Sequence, residues 1–291
     1  VSKRARVAAK SAAPKKAKVR DVFVAVPFAG LTDETEWIAL RELVPAATAP
    51  LKLNAELTEK YGDRDITLAT ILPMAWPAMV KADGRILLGL QRHVQSGDVN
   101  RDLAVALLNA LETTPGQSVA VPALPGQGER LGDLLADGPL DLTMHETFGF
   151  WLDEGQDDDP GVAASLESAN GAIAPTAKMA AVKAAYWTRM GEKSHIRWVL
   201  PHAESEALDA LATLGAAGEL TLGEQTRFAG MFRAHGRLVP VWDLPVDSEA
   251  AEWEDALAQF ATRFEAALGK ELTPEARKAK QGLIGRQLTL R

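Results

Sequence analysis

The chain has no cysteine. Disulfides, thiol nucleophiles, iron–sulfur clusters and thiolate zinc sites are therefore excluded. A thiol-free composition suits a reducing compartment, and the expected location is the cytoplasm. No apolar run approaches the ~18–20 residues that a membrane-crossing helix needs. Lys15, Lys16, Lys18 and Arg20 interrupt the stretch in which a secretory signal would place its apolar region. An organelle transit peptide is the lesser alternative for this segment, since its five lysines outnumber its three arginines.

Reaction motifs are missing as well. No serine sits in Gly-x-Ser-x-Gly, and no histidine pair sits in His-Glu-x-x-His. The nearest approach to a phosphate loop is Gly126-Gln127-Gly128-Glu129-Arg130-Leu131-Gly132. Its third glycine is one position late, Pro125 stands where a strand should feed it, and Glu129 would repel a phosphate, so it reads as a surface turn. Asp153-Glu154-Gly155-Gln156-Asp157-Asp158-Asp159 is rich in oxygen ligands but lacks the alternation and terminal bidentate carboxylate of a calcium loop. No metal and no cofactor is expected.

Acidic residues are absent from the first twenty positions, which carry Lys3, Arg4, Arg6, Lys10, Lys15, Lys16, Lys18 and Arg20. This +8 segment belongs to a chain of formal net charge −7, so residues 21–291 carry −15. A basic segment on an acidic body is attracted to polyanions that the body itself repels. RNA or the ribosome is the expected partner of these eight residues. A solvated arm without a partner is the plain alternative.

The rest of the composition is that of an ordinary globular protein, with 47% hydrophobic and 24% charged residues over 291 positions. Val22, Val24 and Val26 predict a doubly buried strand ending at Pro27. Asp33 and Glu36 have the spacing of a capping box, and Trp37, Leu40 and Val44 follow at helical intervals up to Pro45. Strands are predicted at 66–72 and 85–90, with Ala82-Asp83-Gly84 as a hairpin turn. After Gly97-Asp98, Leu103, Leu107, Leu108 and Leu111 mark a helical face ending before Pro115. Residues 113–140, rich in Gly and Pro, are expected to wander over the surface, and 140–152 to be extended.

In the second half, helices are expected at 162–170, 204–214 and 248–268, and strands at 185–190, 195–200 and 220–222. A further hairpin is centred on His235-Gly236. Residues 78–87 align with 230–239 at four of ten positions, which raises a duplication of one α+β unit against ordinary hairpin similarity. The resulting expectation is an α+β protein of two lobes. A basic arm (1–20) precedes a first lobe (21–152), a second lobe (153–269) and a basic C-terminal segment (270–291, net +4).

The histidines are His93, His145, His195, His202 and His235, and no two stand at i and i+4. Each reads better as a surface or satisfied residue than as a catalyst. Trp76, Trp151, Tyr186, Trp187, Trp198 and Trp242 accompany Arg85, Arg189, Arg197 and Arg237 on or near predicted strands. Such sets stack single-stranded bases in some proteins, but core packing is favoured here because the body is acidic.

The sequence then resembles a known family. The segments that carry the resemblance include Phe28-Ala29-Gly30-Leu31, Leu72-Pro73-Met74-Ala75-Trp76-Pro77, His195-Ile196-Arg197-Trp198-Val199-Leu200-Pro201-His202 and Val239-Pro240-Val241-Trp242-Asp243-Leu244-Pro245. They are similar, in order and spacing from about residue 25 to Arg291, to an actinobacterial family of unknown function. Some members of that family carry a Cys-rich zinc motif like the one at the tail of the SecA translocase motor, and bear a translocase-related label on that ground. The motif requires cysteine and is absent here. Residues 1–20 stand in its place, and a nucleotide loop is also lacking.

Two functions are carried forward. The leading reading is a non-catalytic binding or adaptor protein, whose basic arm contacts RNA, ribosome or another polyanion while the body engages an unknown protein or ligand. The alternative is an enzyme of unrecognised type with an inter-lobe pocket of Trp198, His202, His235, Arg237 and Trp242. The reading leans against catalysis. A translocase-related accessory role is a second alternative, resting on the resemblance alone.

Overall fold

The computed structural model describes residues 20–285. Its architecture is α+β, with two five-stranded sheets, each accompanied by helices. In the first half, helix α1 (Glu34–Glu42) leads into β1 (Ala47–Leu51), α2 (Ala55–Tyr61), β2 (Ile66–Ala69), β3 (Ala78–Val80) and β4 (Ile86–Gly89). Helix α3 (Val99–Glu112), the short α4 (Leu131–Leu134) and β5 (Thr143–Met144) follow. The strands order as β3-β4-β2-β1-β5, with β2 and β4 parallel and every other pair antiparallel.

The second half holds α5 (Pro160–Asn170), β6 (Thr176–Lys178), β7 (Ala185–Met190), β8 (Lys193–Trp198) and α6 (Glu204–Ala217). It ends with β9 (Arg227–Ala234), β10 (Arg237–Leu244), α7 (Glu254–Ala267) and α8 (Pro274–Ile284). This sheet is antiparallel throughout, in the order β6-β7-β8-β10-β9.

Both faces of the second sheet contribute side chains to a hydrophobic core. Side chains alternate across a strand. Ala185, Trp187, Ile196, Trp198, Leu238 and Trp242 join a core with α6 and α7. Tyr186, Val199, Val239 and Val241 point the other way and join the core of the first half, with Trp37, Ile38 and Leu40 of α1. A bulge at Ala229, opposite the step from Val241 to Trp242, shifts the parity of β9 and turns Phe228 toward Trp242. Helix α1 thus shares a core with both sheets.

Several expectations are corrected. Residues 22–26 form no strand: Phe23 is 82% exposed, and Val24 N–H donates to the Gly97 carbonyl. Alternating valines favour extended backbone, but here the segment pairs with a loop at Gly97 and not with a strand. Of residues 140–152 only β5 is a strand. Gly149–Trp151 forms a single 3-10 turn that lays Phe148 and Trp151 over the outer face of the first sheet. Residues 220–222 form no strand, and the Leu220 carbonyl accepts the Trp242 indole N–H. The Gly/Pro-rich stretch is not all surface, since α4 buries Leu131 and Leu134 completely.

Helix α5 packs Leu166 and Ala169 on the outer face of the first sheet, so residues assigned by sequence to the second lobe cover the first. The two hairpins proposed as a repeat do occupy matching places, β3–β4 and β9–β10 each forming an edge pair followed by a helix. The next strand inward differs, since β2 is parallel to β4 while β8 is antiparallel to β10, so the match stops at the hairpin. The C-terminal segment folds back as α8, which buries Leu283 in the second core and pairs Lys280 with Asp209 at 2.5 Å.

Gly89 closes β4 where no side chain fits: a Cβ there would lie 1.7 Å from the Trp76 carbonyl oxygen and 3.3 Å from the Trp151 ring. Gly89→Ala is therefore expected to lower unfolding free energy by about 3 kcal/mol, the upper part of the range for overpacked sites. Urea denaturation checks this, and a wild-type midpoint would refute the close approach.

Candidate functional site

Helix α1 carries a line of carboxylates, and almost all of them are used by the second sheet. Glu36, 3% exposed, accepts hydrogen bonds from the Ala184 N–H at 3.1 Å and the Tyr186 hydroxyl at 2.7 Å, and pairs with Lys178 at 2.8 Å. Asp33 pairs with Lys183 at 2.9 Å, Glu34 with Arg237 at 2.7 Å, and Glu42 with His235 at 2.8 Å. The capping-box spacing at Asp33 and Glu36 is thus put to another use. Asp33 sits at φ 59° and its side chain caps nothing in its own helix; it also accepts from the Leu140 N–H.

The far end of α1 is finished by other segments. The Gln91 amide donates to the carbonyls of Leu40 and Arg41, which would otherwise be unpaired helix-end acceptors. Arg41 donates in turn to the Leu90 carbonyl and Gln95.

This environment moves several proton affinities. Burial raises the Asp33 carboxyl, but the Lys183 ammonium and the Leu140 N–H outweigh it, so it is held below its ordinary value. Glu42 is likewise lowered, burial being overcome by the His235 bond and by Arg41. Burial, then the neighbouring Glu36 charge, push the Tyr186 hydroxyl far above its ordinary value, so it stays a proton donor at any working pH.

The five residues expected to form an inter-lobe pocket divide between the two faces of the second sheet. His235 and Arg237 stand at the junction, paired with α1, and the His235 ring meets Phe28 edge-on at 5.3 Å. Trp198 and Trp242 lie on the opposite face, packed with Phe260. His202 is near them, 3.1 Å from Glu265 and 5.6 Å from the Phe264 ring. Trp151, Tyr186, Trp187, Trp198 and Trp242 are all buried, which agrees with core packing rather than base stacking.

Of the eight basic residues of the arm, the first seven lie outside the described residues. Arg20 is described: it is exposed and lines a cleft of about 150 Å³ with Arg101, Arg130, Asp98 and the Gly126–Gly128 turn. The turn wraps the Arg101 guanidinium, which donates to the carbonyls of Gly126 and Glu129 at 3.1 and 2.8 Å. A Cβ at Gly128 would meet that guanidinium at 2.6 Å, so a side chain there would push the arginine from its present seat. Arg130 is clamped on Asp98, the residue that caps α3, and on the Pro27 carbonyl. A larger groove of about 440 Å³ lies between Leu31, Trp37, Leu51, Lys52 and Leu140. The acidic loop has structural duties: Asp159 caps α5, and Asp153 accepts from the Ala82 N–H.

A profile of the family of unknown function DUF5926 matches residues 27–291, nearly the whole chain. The protein belongs to that family. No curated protein and no solved structure matches it. The DUF5926 match begins within the irregular segment that precedes α1, so the basic arm lies before the part of the chain that the family shares. Among the described residues, no helix is long and apolar enough to cross a membrane.

The junction generates two expected outcomes. Glu36→Ala would leave the Tyr186 hydroxyl, the Ala184 N–H and Lys178 without their acceptor, costing about 3–5 kcal/mol in urea denaturation. A loss under 1 kcal/mol would show that water replaces the carboxylate. Asp33 and Glu42 have folded-state proton affinities below their unfolded values, so their contribution is complete above the ordinary carboxylate range. It should be lost as pH falls below about 4. The double variant Asp33→Asn/Glu42→Gln should flatten that acid limb, and an unchanged limb would locate acid sensitivity elsewhere.

Proposed function

We propose that the protein is a non-catalytic binding or adaptor protein of the cytoplasm, whose basic N-terminal arm contacts RNA, the ribosome or another polyanion. The observation that carries this reading is the charge division, +8 within twenty residues against −15 in the remainder. The arm supplies attraction without shape, and the acidic body prevents the polyanion from spreading over it. Arg20 supports the reading from the other side, because it brings the end of the arm to the rim of the cleft containing Arg101 and Arg130. Those two arginines are spent on carbonyls and on Asp98, so they shape the rim while the arm provides the free charge.

The enzyme alternative asks five side chains to converge. Two of them are ion-paired at the junction and three are on the far side of a sheet, which weakens it.

Co-sedimentation with RNA and with ribosomes across a salt series tests the proposal. Three proteins are compared: full-length, lacking residues 1–20, and Lys15, Lys16, Lys18 and Arg20 all replaced by glutamine. Eight contacts to a single strand would make log K fall against log salt with a slope near about −5 to −6. The quadruple variant should reduce the slope by about 3, and the truncation should abolish binding. Equal binding by the truncated and full-length proteins, or no binding at low salt, would overturn the polyanion reading.

A further inference from the structure

On the junction face of the second sheet, one step along the strands from Tyr186, a polar row crosses all five strands. Its members in register are Thr176, Thr188, His195, Asp243 and Arg227. His195 Nδ1 is 3.1 Å from Asp243 Oδ1, and Arg227 holds the other carboxylate oxygen. Asp243 is thereby fixed from both sides, and it orients the imidazole. The second ring nitrogen of His195 makes no hydrogen bond among the described residues, and the side chain is 17% exposed.

Strand β8 adds two cations to the same face, because Lys193, His195 and Arg197 alternate with Ser194, Ile196 and Trp198, which are buried on the other face. Arg197 stands opposite Tyr186, yet its guanidinium reaches the Met190 sulfur at 3.1 Å, four residues along β7 and past Thr188. The guanidinium therefore lies across the sheet over Thr188, beside His195. No carboxylate pairs with it among the described residues, and its one protein acceptor there is a thioether, a weak one. Among the described residues, four of its five N–H groups have no acceptor.

A guanidinium so placed, with no carboxylate partner among the described residues, offers an anion a local positive site even though the body as a whole is acidic. The charged groups facing His195 are Asp243 on β10, Arg227 on β9, and Arg197 and Lys193 on its own strand; β7 offers Thr188. Arg227 and Asp243 neutralise each other, which leaves Arg197 and Lys193 in excess. Burial, opposed by Asp243 and reinforced by Arg197 and Lys193, lowers the proton affinity of His195, and burial lowers that of Arg197 to about 10. An anion seated beside both would reverse those effects.

We propose that Arg197 and His195, with Lys193 at the rim, form a binding site for a phosphate-type oxyanion carried by a small ligand. Arg197 donates two N–H groups to the oxyanion, and His195, protonated and oriented by Asp243, donates from Nε2. Binding takes up a proton at His195, so affinity rises as pH falls. This proposal uses no residue of the N-terminal arm and does not depend on the polyanion reading.

The test uses the full-length protein, with the His195 Cε1–H resonance followed by NMR during titration with sulfate, which does not itself titrate in this range. Saturable shifts are expected, about tenfold tighter at about pH 5.5 than at about pH 7.5. Arg197→Met, which keeps length and apolar bulk, should weaken binding about tenfold or more. His195→Gln, followed by calorimetry, should bind sulfate with no pH dependence, which gives a second reading should the arginine variant fold poorly. Deleting residues 1–20 should change neither affinity. A His195 resonance that never saturates, affinity indifferent to pH, or full affinity in Arg197→Met would each overturn the site. Inorganic phosphate and a small phosphomonoester are then compared: tighter binding of the ester assigns a metabolite, and equal binding assigns the free anion.

Discussion

Glu36 is the point on which the two sheets turn. Removing a carboxylate from water is costly, and its burial is tolerable only where donors surround it. Here they come from three places on the second sheet and its approach: the Tyr186 hydroxyl, the Ala184 N–H and the Lys178 ammonium. None of them is in the helix that carries Glu36. The first half of the chain therefore cannot satisfy this residue alone, and the second half would leave a buried tyrosine hydroxyl unpaired without it. Flanking pairs at Asp33, Glu34 and Glu42, all partly buried, tie the same helix to the second half. This is why the halves of an apparently bilobal sequence share a hydrophobic core.

That arrangement also decides which charges are free to act. The carboxylates of α1 are spent against Lys178, Lys183, His235 and Arg237, and the arginines around the Gly126–Gly128 turn are spent on carbonyls and Asp98. Two places among those left unneutralised matter for the readings above. One is the N-terminal arm, whose charge is fixed by composition. The other is the strip of Lys193, His195 and Arg197, whose significance depends on what the sheet places beside it.

Much of the secondary structure was legible because its signals were local. The turns at Ala82-Asp83-Gly84 and His235-Gly236, the Asp98 cap with its leucine face, and the strand at 185–190 follow from a few adjacent residues, while the next strand begins at Lys193 and ends at Trp198 instead of spanning 195–200. The failures share a cause. Val22–Val26 has the pattern of a strand but pairs with a loop at Gly97, and Phe148–Trp151 has strand-like residues that cover a sheet instead of extending one. A strand is a relation between segments, and a single segment cannot announce its partner. The strip on β8 was visible as alternation, Lys193-Ser194-His195-Ile196-Arg197-Trp198, but its chemistry was not, because Asp243, Arg227 and Thr188 arrive from three other strands.

Composition and local pattern alone determined the class of the protein, its lack of thiol chemistry, the opposition between arm and body, and the positions of most helices and hairpins. These are properties of single residues or of short windows. Tertiary structure decided the rest. It turned a capping-box pair into a junction, separated Trp198 and Trp242 from His235 and Arg237 by the thickness of a sheet, and set His195 between Asp243 and Arg197. The reason is the same in each case: the period of two in a strand fixes which face a residue takes, but only the packed sheets determine what that face meets.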